Sequence, residues 1–232
     1  MIEGENRTGR VSPQRFHETA GLEDWRVVGE GACAYFRTGS FAAGARLVRA
    51  ISELPGVVDD HPDVDLRREG VTVRLVPLTD DHHGLTERHL DLAGEISALT
   101  RSLDITADPS AVQTVQVTVD ALSGADVAPF WRALLDYRDR SDSGEHLVDP
   151  GGRGAPFHFR TTDARSPRRN RVHIDVWVPY DRARARIAAA LGAGGRLVSD
   201  AGAPSNWVLA DPEGNEACVG VAGPPVPAGP YR

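Results

Sequence analysis

The segment "VQTVQVTVD" (112–120), followed by the helix-like "GADVAPFWRALLDY" (124–137), has a counterpart about sixty residues further on. There "RVHIDVWVP" (171–179) leads into "DRARARIAAALGAGG" (181–195), which stops at glycines. Val127, Phe130, Trp131 and Leu134 give the first helix an apolar stripe. Short strand-like pieces follow each helix: "FHFRTT" (157–162) in the first copy, and "RLVSD" (196–200), "NWVLAD" (206–211) and "ACVGV" (217–221) in the second. Strand, helix and strands repeated twice constrain the fold more than any other feature of the chain. Two similar modules must pack together, because one alone leaves its apolar face exposed.

The first half reads as strand, helix, strand, helix. "ACAYFRTG" (32–39) has the aromatic content of a strand. Ser40 caps a helix with Leu47, Val48, Ile51 and Leu54 on one face. Val71, Val73 and Leu75 alternate in "VTVRLVP", a half-buried strand, and Thr86 caps a helix directing Leu92, Ala93, Ile96 and Leu99 inward. "DITADPS" (104–110) is turn-rich and separates a domain at 8–104 from one at 109–222. The Pro/Gly-rich end, 223–232, is expected to be a disordered tail.

Composition narrows the functions. The net charge is −7, which argues against a phosphate-backbone partner. All basic residues are arginine, so lysine Schiff-base and lysine general-base chemistry are excluded. No apolar run approaches a membrane span, and the first ten residues lack the layout of a signal peptide, so a cytoplasmic location is expected. Cys33 and Cys218 show no metal-type spacing and no disulfide framework.

Acidic residues and histidines crowd the stretch from Leu54 to Ile96, where Asp59, Asp60 and His61 precede the alternating strand and His82 and His83 follow it. An imidazole beside carboxylates suits proton transfer near neutral pH, and Pro62 holds His61 in an extended backbone. A polar, solvated loop is the competing account. If the strand runs straight, its two flanking loops lie ~20 Å apart.

The order of these pieces resembles the pterin-4a-carbinolamine dehydratase family over residues 11 to 103. That family carries "(D/E)HHP", a strand, a loop with a third histidine, and "GL(S/T)xxD..LA..I". Asp59 takes the place of the acid, Asp60 that of the first histidine, and His61 that of the second. Val64 stands where an aromatic is expected. Leu78 stands at the third histidine, with Asp80, His82 or His83 available from a longer loop. The resemblance implies a hydro-lyase that removes water from a 4a-hydroxytetrahydropterin, with His61, Asp60, Asp59, His82 and His83 as the catalytic set and a homo-oligomeric assembly. It also implies that the "HHP" segment runs back along the sheet, so His61 is expected to line a pocket near His82 and His83.

The repeated half resembles the glyoxalase-like branch of the vicinal oxygen chelate superfamily, on "FWRALLDY", "NRVHIDVWV" and "LADPEGNEACV". Together the resemblances imply an α+β chain: an N-terminal antiparallel sheet with helices on one face, then paired βαβββ modules forming a cup. Such cups hold a divalent metal. Here His173 matches one ligand, Thr114 beside Gln113 stands at a second, residues 157–160 offer no carboxylate at a third, and Cys218 stands at the fourth. The ligand set is incomplete. Glu216, two residues before Cys218, is expected on the other side of the strand. His173 reads equally as a satisfied interior histidine, and Cys218 as a small buried residue rather than a thiolate. The alternative function is a metal-free binding or resistance-type protein whose first domain is an assembly module. Trp177, Trp207, Phe157 and Phe159 would then wall the cup, with Arg160, His173 and Glu216 as anchors for a small organic ligand. His158 reads as facing either the cup or solvent, and His17, His89 and His146 as solvated.

Overall fold

The computed structural model describes residues 9–29, 31–58, 60–76, 84–121, 123–135, 137–140, 143–161, 172–192, 194–210 and 216–223. They fall into two compact units, one running to Val112 and the other from Gln113 to Val221.

The first unit contains α1 (Pro13–Glu18), β1 (Arg26–Val28), β2 (Gly31–Arg37), α2 (Phe41–Ser52), a 3-10 turn (Pro55–Val58), β3 (Asp63–Leu66), β4 (Gly70–Leu75), α3 (Glu87–Ser102) and β5 (Thr106–Ala107). Its antiparallel sheet has the order β1-β2-β4-β3, with β5 also paired to β2. Alternation decides the buried face. Ala32, Ala34 and Phe36 of β2 join Val71, Val73 and Leu75 of β4 in a core with Leu47 and Ile51 of α2 and Leu92, Ala93 and Ile96 of α3. Ser40 Oγ accepts from Ala43 N–H at 3.2 Å, a cap that stabilises α2 by about 1 kcal/mol. Trp25 is fully buried, its edge against Phe36 and its Nε1 donating to Ser97 Oγ at 3.1 Å.

Four elements here go beyond the strand–helix–strand–helix reading: α1, β1, β3 and β5. In β3 the alternation is present but weak, with Val64 and Leu66 only half-buried and Asp63 and Asp65 exposed. A tight turn joins β3 to β4. At Gly70 a Cβ would lie 2.5 Å from the Tyr35 hydroxyl and 2.6 Å from the Phe36 carbonyl, so only glycine fits.

The second unit repeats one plan. Its first module is β6 (Thr114–Ala121), α4 (Gly124–Leu135), β7 (Arg138–Arg140), β8 (Ser143–Val148) and β9 (Phe157–Thr161). The second is β10 (Val172–Trp177), α5 (Ala183–Gly192) after a 3-10 turn, β11 (Arg196–Ser199), β12 (Asn206–Ala210) and β13 (Glu216–Gly220). Both are βαβββ. The eight strands form one sheet, β11-β12-β13-β10-β6-β9-β8-β7. At its centre β6 and β10 run antiparallel with Val117 opposite Ile174, and each is parallel to the last strand of its own module. Strands β7 and β8, rich in charge and serine, were not legible as strands.

Each module has its own small core on the helix side of the sheet. Val119, Leu147 and Phe159 pack with Ala128 of α4, and Trp207, Leu209 and Val219 pack with Ala183 and Ile187 of α5. Among the described residues no helix is long and apolar enough to cross a membrane.

Candidate functional site

The 3-10 turn at Pro55–Val58 carries the chain out of α2 and past α3, so that Asp60 arrives beside the first turn of α3. From there His61 and Pro62 lead into β3, whose first residue, Asp63, pairs with Arg74 near the end of β4. That register settles the geometry of the segment. The chain around His61 lies at the end of β4 from which residues 77–83 leave, not a strand length away.

At the mouth of α3 stands a histidine that sequence reasoning placed in solvent. His89 is 4% exposed. Its Nδ1 accepts the Thr86 N–H at 3.0 Å and lies 2.7 Å from Thr86 Oγ1. Its Nε2 lies 3.9 Å from Asp60 Oδ1. Thr86 and His89 occupy the two positions of a capping box, with an imidazole lone pair doing what a Glu or Gln carbonyl oxygen ordinarily does. The spacing Thr86-x-x-His89 was the available signal.

His61 is exposed. The turn before it projects outward, leaving Val58 76% exposed, and the inner position belongs to His89. Asp60 is half-buried, its side chain 19% exposed. Asp59, Leu78, Asp80, His82 and His83 lie outside the described residues. The structure thus joins Asp60 to a group that the sequence did not nominate. His17 is also structural, its Nδ1 2.7 Å from the Pro13 carbonyl and its Nε2 accepting from Val27 N–H.

In the second unit the two helices cover one face of the sheet, and the other face is polar. Period-two alternation puts Gln116, Thr118 and Asp120 of β6, His158 and Arg160 of β9, Asp175 and Trp177 of β10, and Cys218 of β13 on that open face. Asp120, 6% exposed, receives both Nε and Nη2 of Arg160, at 2.7 and 2.9 Å. That pairing raises the Arg160 pKa. Asp175 accepts from Thr118 Oγ1 and, at 3.4 Å, from Gln116 Nε2. His146 and His158 stack with ring centroids 4.4 Å apart, and His146 Nδ1 is 2.9 Å from Ser143 Oγ. Burial lowers the His158 pKa.

Four expectations need correction. Trp207, 1% exposed, and Phe159, fully buried, belong to the helix-side cores and cannot wall a cup. Phe157 packs on the same side, against Trp131. His146 is half-buried against His158 rather than solvated. Glu216 shares the Cys218 face, since side chains two apart on a strand point the same way. Trp177 does lie on the open face, over Gly220. The register sets His173 opposite Thr118, and its side chain lies outside the described residues.

The described side chains do not suit a divalent cation. Burial and the Asp175 carboxylate push the Cys218 thiol up to about 12, so it stays protonated and makes a poor ligand. Thr118 and Asp175 are spent on each other. Among the described residues no three His, Cys, Asp or Glu side chains are gathered as a metal site requires.

Residues 10–99 match the family model described as pterin 4 alpha carbinolamine dehydratase, and residues 116–220 match the one described as a glyoxalase-like domain. A relative from Acidobacterium capsulatum, named "putative pterin-4-alpha-carbinolamine dehydratase", is 32% identical over 91 residues, spanning 39% of this chain and 97% of that one. The protein of the same name from Nocardia farcinica is 36% identical over 80 residues, spanning 34% and 82%. A glyoxalase/bleomycin resistance protein/dioxygenase superfamily member from Vibrio splendidus matches 47% of this chain and 99% of its own at 13% identity, with a TM-score of 0.29.

Proposed function

This chain belongs to the pterin-4-alpha-carbinolamine dehydratase family through its first unit, and on that premise we propose that it is a hydro-lyase acting on a 4a-hydroxytetrahydropterin. The observation that carries the reading is the half-buried Asp60 carboxylate facing the Nε2 edge of His89, next in sequence to His61. Dehydration needs a proton delivered to the departing hydroxyl and one removed from a ring nitrogen. Asp60 and the exposed His61 supply the two groups, and each such group contributes roughly 10²–10⁴-fold. Asp59, His82 and His83 are further candidates from the neighbouring segments. Formation of the quinonoid dihydropterin, followed by absorbance, tests the proposal. Turnover above buffer that falls in His61→Ala and Asp60→Ala supports it; a rate equal to buffer rejects it.

For the second unit we propose a metal-free site for a small polar organic molecule, with Arg160, Trp177 and Glu216 as contacts. The polar open face supports it, because Arg160, Trp177 and Glu216 lie on a face that no helix covers. Metal analysis of the purified chain is the test. Near-stoichiometric zinc, iron, manganese or nickel that vanishes in His173→Ala rejects this reading.

A further inference from the structure

The resemblance described above implies a histidine at the position of Asp60 and an aspartate, in "GL(S/T)xxD", at the position of His89. The two departures are far apart in sequence and adjacent in space, with 3.9 Å between Nε2 and Oδ1. In this chain a carboxylate and an imidazole meet at these two positions. We infer that Asp60 touches the substrate and takes the ring-nitrogen proton from it, and that His89 is a positioning residue acting through Asp60. This rests on the dehydratase reading of the first unit.

Exposure assigns the roles. The Asp60 side chain is 19% exposed and that of His89 5%, so a ligand reaches the carboxylate and not the ring. Hydrogen bonding assigns the protons. The Thr86 N–H points at Nδ1, which therefore presents its lone pair and carries no hydrogen. The ring hydrogen is on Nε2, toward Asp60.

At 3.9 Å the contact is about 1 Å longer than an N–H···O bond, and a small rotation of Asp60 makes or releases it. In the reaction His61, the second group named above, gives a proton to the 4a-hydroxyl. The C4a–O bond breaks, water departs, and the ring-nitrogen lone pair closes a C=N bond. The proton shed by nitrogen passes to the Asp60 carboxylate, which the Nε2–H of His89 orients.

Substitutions that keep the cap isolate the role. In His89→Asn an amide oxygen replaces Nδ1 as acceptor for Thr86, while the donor toward Asp60 is lost. The full-length variant is expected to melt within a few degrees of wild type, with kcat lowered about ten- to a hundredfold and KM within about twofold. His89→Asp keeps the acceptor but sets like charge against Asp60, and kcat should fall further. Combining Asp60→His with His89→Asp restores the order of the family pattern, and is expected to exceed both single variants in kcat. Wild-type kcat in His89→Asn, or a double variant no faster than the slower single, overturns the inference while leaving the dehydratase reading intact. A wild-type chain no faster than buffer removes that reading, and this inference with it.

Discussion

Asp60 in the first unit and Asp120 and Asp175 in the second are held in opposite ways. In the second, Asp120 is gripped by two arginine donors and Asp175 by Thr118 and Gln116. In the first, Asp60 faces a histidine Nε2 at 3.9 Å, near enough for charge and too far for a hydrogen bond. A carboxylate with its lone pairs filled holds a sheet together.

The largest effect that sharpens this contrast is expected at Trp207. Its truncation to alanine empties the core beneath α5 and should cost about 3–5 kcal/mol in urea unfolding. A Trp207→Ala chain that unfolds like wild type would return this residue to the ligand face. Next comes Arg160→Ala, which strands buried Asp120. Because the Arg160 side chain is 45% exposed, water compensates in part, and a loss of about 2–3 kcal/mol is expected, below the range for a fully buried pair. No measurable loss would mean that the ion pair does not hold the open face.

A smaller effect follows pH. His158 titrates below its ordinary value of 6.5 because burial disfavours the imidazolium. The unfolded chain therefore takes up its proton first on acidification. The stability contributed by neutral His158 is complete above 6.5 and is lost as pH falls through the folded-state value. Melting temperature should decline over that window, and the decline should lessen in His158→Asn; an identical decline in the variant would trace it to other groups. The smallest effect belongs to Asp60→Asn, expected within about 0.5 kcal/mol of wild type in unfolding. A loss as large as that of Arg160→Ala would erase the distinction between the two carboxylates.

Periodicity made much of the fold legible. Leu47, Ile51, Val71, Val73 and Ile96 repeat at spacings that admit one buried face each, and the paired modules follow from repetition. Strand β3 escaped because its exposed positions are aspartates and its inward ones only half-buried. Around Asp60 the acids argued for a solvated loop as strongly as for a site. His89 was misplaced because its burial depends on Thr86 and on Asp60, a residue that only the tertiary fold brings near. Phe157 and Phe159 flank His158, so one of these two sets had to face the helices. Knowing where α4 lies was needed to choose.

The antiparallel centre of the large sheet has one more consequence. A pseudo-twofold axis through the Val117–Ile174 pair carries Thr118 onto Asp175, His158 onto Cys218, Asp120 onto Trp177 and Arg160 onto Gly220. Where one module sets a guanidinium on a carboxylate, the other lays an indole over a glycine, so closely that a Cβ there would sit 3.2 Å from the ring. The duplicated halves have kept their backbone symmetry and lost it in their side chains. The open face therefore has a charged end and an aromatic end, and the site proposed there would present a different surface to each end of a ligand.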